Sequence, residues 1–188
     1  MKRRGKVNFL TMFIAVCIVY YAVLQIPLII KMMYPLYFKE TVVKYSTEYK
    51  LPPPLVAAVI KTESKFDVFA ESNKGARGLM QITPSTGRWI AEKLQMKSYN
   101  DDMLFDPEVN IRFGCWYIRY LYTTYDNNMT LAFAAYNGGR GNVDKWLQNE
   151  RITREGTNLE QIPFNETKNF VIRVNNNYKV YSKLYKWD

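Results

Sequence analysis

From Phe9 to Ile30 the chain reads FLTMFIAVCIVYYAVLQIPLII, with no charge and only Thr11 and Gln25 as polar interruptions. As a helix this segment would be roughly 33 Å long, enough to cross the hydrocarbon layer of a bilayer. A cleaved signal peptide would carry an apolar region of only about 7 to 15 residues ending in a small-residue cleavage site, and neither feature is present. The segment is therefore expected to persist as a single-pass transmembrane anchor. Lys2, Arg3, Arg4 and Lys6 precede it, which places the N-terminus in the cytoplasm and residues from about 31 onward outside. Lys31, Lys39 and Lys44 soften that asymmetry. The expected division is a basic tip, anchor and connector over residues 1–37, and a separate extracytoplasmic domain over residues 38–188.

The formal charge of +9 comes partly from the basic tip. Setting those four residues aside leaves 22 basic against 17 acidic residues, a net +5. That excess is compatible with nucleic acid, an anionic membrane surface or an acidic polymer. The chain has no histidine. This excludes Ser-His and Cys-His nucleophile pairs and zinc sites built on histidine. Of the two cysteines, Cys17 lies in the proposed span and Cys115 within a helical pattern, so a bridge between them is not expected and Cys115 is read as small apolar packing.

Beyond the anchor the pattern is helical and period-2 alternation is almost absent. Helices are predicted over roughly 38–50 and 53–64, the latter with prolines in its first turn. A polar loop, SKFDVFAESNKGARG, follows. Thr83 and Pro84 announce another helix running through TGRWIAEKL, and Asp106-Pro107 opens one that carries EVNIRFGCWYIRYLYTTY. After the Asp126-Asn127-Asn128 turn, MTLAFAAYN is closed by Gly138-Gly139 and followed by a short helix, NVDKWLQ. A polar stretch over 149–163 precedes a terminal helix, NETKNFVIRVNNNYKVYSKLY. The expected fold is all-α with minimal β, one domain on a membrane tether.

One residue breaks this pattern. On the helix that opens at LPPPLVAAVI, Val56, Val59, Ile60 and Glu63 fall within a narrow arc, which puts a carboxylate in the apolar stripe. A glutamate held out of water favours its protonated form and can act as an acid near neutral pH. The plainer alternative is that the helix ends at about Thr62 and Glu63 sits exposed at a fraying end.

The segments that follow decide how Glu63 is read. TESKF, AESNKGARGLMQITPST, FDPEVNIRFG, AFAAYNGG and PFNETKNFVIRV, in that order, resemble the catalytic domain of the soluble lytic murein transglycosylases. These are lysozyme-like enzymes that cleave peptidoglycan glycan strands. The resemblance covers approximately Thr41 to Tyr185 and implies a lysozyme-like helical domain with a central groove. It implies that Glu63 is the catalytic acid and then base, and that Ser72 and Gln81 lie in the groove. It further implies that Tyr136 reaches the catalytic carboxyl and that Glu166 lines the cleft. For Glu166 a capping role stands beside this, with Asn165 as the cap of the terminal helix. Two positions depart from the family pattern, since Gly139 and Gly87 stand where alanine is more usual.

Glycosidases that use two carboxylates place them about 5 to 9.5 Å apart, and this sequence offers one well-placed carboxylate. An intramolecular route needs only one. Protonated Glu63 would release the sugar oxygen, and the muramyl 6-hydroxyl would close on C1 to give a 1,6-anhydro end. No metal or organic cofactor follows. The expected partners are peptidoglycan glycan strands and, through the N-terminal helix, the membrane; a cell-envelope regulatory protein is left open, and nucleic acid is not expected. Two other readings compete. A hydrolytic lysozyme of the same fold would need a second acid, for which Asp67 and Glu71 are candidates, and a non-catalytic wall-binding module would keep the groove without turnover.

Overall fold

The structure, a computed structural model, describes residues 8–149 and 161–187. The chain divides into two compact units, Met1–Pro35 and Leu36–Asp188. The first holds helix α1, Phe9–Met33, whose 25 residues continue past the apolar run to include Lys31 and bury none of their side chains. By length and composition α1 can cross a membrane.

In the second unit the order is α2 (Lys39–Glu48), α3 (Pro53–Glu63), α4 (Pro84–Lys93), a short 3-10 helix (Asp101–Phe105), α5 (Pro107–Thr124), α6 (Met129–Gly138), α7 (Arg140–Gln148) and α8 (Asn165–Leu184). No strand occurs among the described residues; two isolated antiparallel bridges, Glu71 with Arg77 and Arg77 with Ile82, fold the loop after α3. The predicted helix starts are made by the expected groups. Thr83 Oγ1 accepts from the Thr86 amide (3.2 Å), and Asp106 Oδ1 accepts from Glu108 and Val109 (2.8 and 2.9 Å), each just before a first-turn proline.

Two local expectations are corrected and one element is added. The helix predicted from Asn142 begins at Arg140, because Gly139, at φ +84°, turns the chain directly from α6 into α7. Asn165 does not cap α8: it is the first helical residue, Phe164 occupies the cap position, and no side chain closes that end. The 3-10 helix at Asp101–Phe105 was not anticipated, and it is started by Asn100 Oδ1 accepting from the Asp102 amide (3.1 Å). The middle of the polar stretch, residues 150–160, lies outside the described residues.

The core is built around α3. Sequence periodicity suggested a one-sided stripe, but every residue from Pro54 to Ile60 is buried, and Val56, Ala57, Ala58, Val59 and Ile60 have no exposed surface. Helices α2 and α8 both pack on α3, so the polar-free run from Pro53 to Ile60 is that of a central helix. Phe133 on α6, Phe113 on α5, and Phe170 and Tyr181 on α8 complete the interior. Burying a side chain of this class contributes roughly 2 kcal/mol. Cys115 is fully buried as small apolar packing, and burial pushes its thiol pKa up. Gly87 has a steric reason, since a Cβ there would collide with the Tyr99 hydroxyl.

Candidate active site

Glu63 is the last helical residue of α3, and the turn after it is tight. The buried Ser64 hydroxyl donates to the Ile60 carbonyl (3.3 Å) and accepts from the Phe66 amide (3.1 Å). Lys65 and Phe66 both take left-handed backbone, at φ +55° and +71°, an arrangement that costs each of them about 1 to 2 kcal/mol. Packing of the buried Phe66 ring near Tyr37 and Tyr181 offsets that cost. The two sequence alternatives for Glu63 therefore combine: the helix does end there, yet the carboxyl is half-buried.

The loop that faces Glu63 is fastened to the core. Asn110, fully buried on α5, accepts from the Met80 amide (2.7 Å) and donates to the carbonyls of Arg77 (2.9 Å) and Leu104 (2.6 Å). Gly78 lies against this residue at φ +72°, where any Cβ would collide with the Leu104 carbonyl. Gln81 adopts φ +50° and its amide nitrogen donates to the carbonyls of Ala70 and Gly78 (3.0 Å each). Ser72 Oγ accepts from the Ala76 amide (3.0 Å), closing the turn at the loop's tip.

These elements enclose a cavity of about 360 Å³ bordered by Glu63, Ser72, Gln81, Tyr136 and Glu166. Asn73, Lys74, Thr83 and Asn137 also line it, none of which sequence reasoning placed in the site. Thr83 and Asn137 had been assigned only to helix ends, and Asn73 and Lys74 are ordinary turn residues. The Glu63 carboxyl is pushed from 4.5 up to about 8, chiefly by burial; Arg173 opposes the rise and Glu166 adds to it. Its place at the negative end of the α3 dipole works in the same direction.

Tyr136 stands in the cavity wall, but its hydroxyl proton goes to the Met80 carbonyl (2.6 Å). Burial, and after it the charge of Glu63, raises the Tyr136 pKa well above the phenol range. Glu166 is exposed in the first turn of α8. Its neighbour Thr167 is buried and donates to Asn137 Oδ1 (2.9 Å), which ties the start of α8 to the end of α6. The two candidate second acids lie elsewhere: Asp67 accepts from the Phe69 amide (2.9 Å) and Glu71 pairs with Arg77 (3.2 Å). A hollow of about 400 Å³ near Tyr45, Glu108 and Arg112 holds a carboxylate of opposite character. Hydrogen bonds from Lys44 and Tyr45 (2.6 and 2.7 Å) keep the Glu108 pKa low. Among the described residues no cluster of three or more His, Cys, Asp or Glu side chains is arranged to hold a metal ion.

The chain matches the family described as the transglycosylase SLT domain over residues 40–158. The soluble lytic murein transglycosylase of Escherichia coli (strain K12) is 35% identical over 144 residues, covering 75% of this chain and 22% of that protein. Membrane-bound lytic murein transglycosylase C of Serratia proteamaculans (strain 568) is 31% identical over 168 residues, covering 74% of this chain and 45% of that one. This chain thus spans about a fifth to less than half the length of these relatives. The crystal structure of the 70 kDa soluble lytic transglycosylase from Escherichia coli superposes with a TM-score of 0.72 at 31% identity, over 81% of this chain and 25% of that one. The lytic transglycosylase Slt from Pseudomonas aeruginosa, solved as an inactive glutamate-to-glutamine mutant, superposes equally well, with a TM-score of 0.72 at 30% identity, over 81% of this chain and 25% of that one. A family match across most of the helical unit, joined to a lysozyme-like fold shared with solved lytic transglycosylases, means that the chain belongs to the transglycosylase SLT family.

Proposed function

We propose that this chain is a lytic transglycosylase that cuts the β-1,4 bond between N-acetylmuramic acid and N-acetylglucosamine in peptidoglycan strands. In this reading α1 is a single-pass anchor with a cytoplasmic N-terminus, and residues 38–188 form the catalytic domain outside. The observation that carries the reading is Glu63, half-buried in the cavity with its carboxyl pushed up to about 8. The names of the relatives and the inactive glutamine form of one of them support it.

The chemistry needs one carboxyl used twice. Protonated Glu63 gives its proton to the bridging oxygen as the bond to muramyl C1 breaks, and positive charge develops at C1. The substrate's own N-acetyl carbonyl stabilises that charge. The Glu63 carboxylate then takes the proton of the muramyl 6-hydroxyl while O6 bonds to C1, which regenerates the acid and leaves a 1,6-anhydro end. No water is consumed, and holding both reacting groups in one sugar replaces the positioned water. Gln81, whose amide nitrogen is committed to two carbonyls, offers its oxygen to the sugar. Ser72 and Glu166 border the strand, and Tyr136 supports the wall beside Glu63. A cell-envelope regulatory protein, activating or restraining, is compatible with this reading.

The test is to digest purified peptidoglycan with the full chain in detergent and weigh the products. Products one water lighter than hydrolytic ones, without reducing ends, are expected. Free reducing ends would mean hydrolysis and point to Glu166, the other carboxylate of the cavity, as the base. Binding without products would make this a wall-binding module.

A further inference from the structure

Away from Glu63 the groove continues along the first half of α4. The catalytic cavity shares Gln81, Thr83, Tyr136 and Asn137 with a second hollow of about 240 Å³. The second hollow shares Thr86 and Tyr117 with a third, of about 230 Å³, bordered by Ser85, Thr86, Trp89, Tyr117 and Arg140. From Thr83 to Trp89 the helix rises about 9 Å, close to the span of one disaccharide.

The third hollow has its own chemistry. Trp89 is half-buried and set edge-to-face against Tyr120, Trp116 and Tyr117, with centroids 5.0, 5.2 and 6.1 Å away. Trp116 in turn stacks on Tyr120 at 5.4 Å, so the aromatic wall is braced. Beside it Arg140, the first residue of α7, donates from Nη1 to the Tyr120 hydroxyl (2.6 Å). Its Nε is buried without a partner, and none of the ion pairs among the described residues involves it. Asp144, one turn along α7, instead accepts from Tyr125 (2.9 Å). The guanidinium is thus held by the Tyr120 hydroxyl and also interacts with Tyr125, whose own proton goes to Asp144, while the residues lining the hollow include no carboxylate and Nε has no partner.

We propose that this hollow is an outlying subsite for an oxyanion carried on the glycan strand, held by Arg140, with Trp89 lying against the sugar that bears it. The inference rests on reading the groove as a glycan cleft. A carboxylate of the stem peptide fits the planar fork of arginine, and muramyl residues recur once per disaccharide, a repeat close to the rise from Thr83 in the catalytic cavity's wall to Trp89. A phosphodiester of a wall polymer presents the same chemistry.

The test compares the full chain with Arg140→Gln, Arg140→Lys and Ser85→Glu, the last placing an opposing charge at an exposed rim position that leaves the packing alone. Each is assayed on intact peptidoglycan, on strands stripped of peptide by an amidase, and on strands freed of phosphodiester polymers by hydrofluoric acid. Arg140→Gln and Ser85→Glu should raise KM on intact strands by roughly tenfold with kcat unchanged, as for losing a hydrogen bond to a charged group, and Arg140→Lys should recover part of it. Disappearance of the difference on peptide-free strands assigns the oxyanion to the stem, and disappearance only after acid treatment assigns it to the polymer. An equal penalty on every substrate, or none on any, would overturn the subsite. Co-sedimentation with the same walls, measured in the Glu63→Gln background, reads the subsite without turnover. Arg140-dependent binding by a wild-type chain that cuts nothing would sink the enzymatic reading and leave the subsite standing.

Discussion

Replacing Glu63 by glutamine should stabilise the folded chain at alkaline pH while removing its transferable proton. The native carboxyl is pushed from 4.5 up to about 8, mainly by burial, so between those values the folded chain keeps a proton that the unfolded chain has released. Wild-type stability therefore falls as pH rises from 4.5 to about 8 and levels off above it. At 1.36 kcal/mol per pH unit the ceiling is about 5 kcal/mol. Part of the carboxyl stays open to water, and screening brings the expected penalty to about 2 kcal/mol. Glutamine cannot ionise, so its advantage should be absent at pH 4 and fully developed at pH 9. In a chain of this size that is roughly 4 to 8 °C in Tm. Thermal melts of both full chains in detergent across this range would show the gap widening with pH. Digestion by the variant should fall by about 10² to 10⁴-fold, and wild-type activity should decline above pH 8 as the acid is lost. A gap that stays constant with pH, or a glutamine chain that still cuts, would refute the reasoning.

Asn110→Ala would strand the Met80 amide and the Leu104 carbonyl in the core and leave the Arg77 carbonyl with the Ile82 amide alone, so denaturant melts should register a loss of about 3 kcal/mol. Asn110→Asp should not rescue it, because a carboxylate cannot donate to the two carbonyls. Gly78→Ala combines a left-handed backbone with a collision against the Leu104 carbonyl, and should cost about 2 kcal/mol with a matching drop in activity. Tyr136→Phe frees the Met80 carbonyl, for about 1 kcal/mol of stability, and should lower kcat by loosening the wall beside Glu63.

Residue type and spacing alone single out Glu63, whereas Ser72, Gln81, Tyr136 and Glu166 come only from the family resemblance. A carboxylate among Val56, Val59 and Ile60 has no cheap structural reason to be there, and the Thr83-Pro84 and Asp106-Pro107 starts carry their capping chemistry locally. What was hidden depends on tertiary neighbours. That α3 is buried on all sides follows from α2 and α8 closing over it, which periodicity within α3 cannot report. Asn110 reads as one polar residue in a helix, and only the fold shows it holding the loop across from Glu63. Arg140 precedes the helix expected from Asn142, and the positive φ at Gly139 starts that helix two residues sooner, with Arg140 as its first residue. The hydroxyl of Tyr136, expected at the catalytic carboxyl, is taken by the Met80 carbonyl, a partner that has no signature in side-chain sequence.

The fastening of the Arg77–Ile82 loop has a consequence for time as well as shape. Asn110 ties it to α5 and Tyr136 ties it to α6, so the loop has no melting transition separate from the core. The Met80 amide should exchange with deuterium only when those helices part. Under the proposed function, an incoming strand meets in this loop a wall that is already ordered, and its binding bears no entropy of ordering that segment.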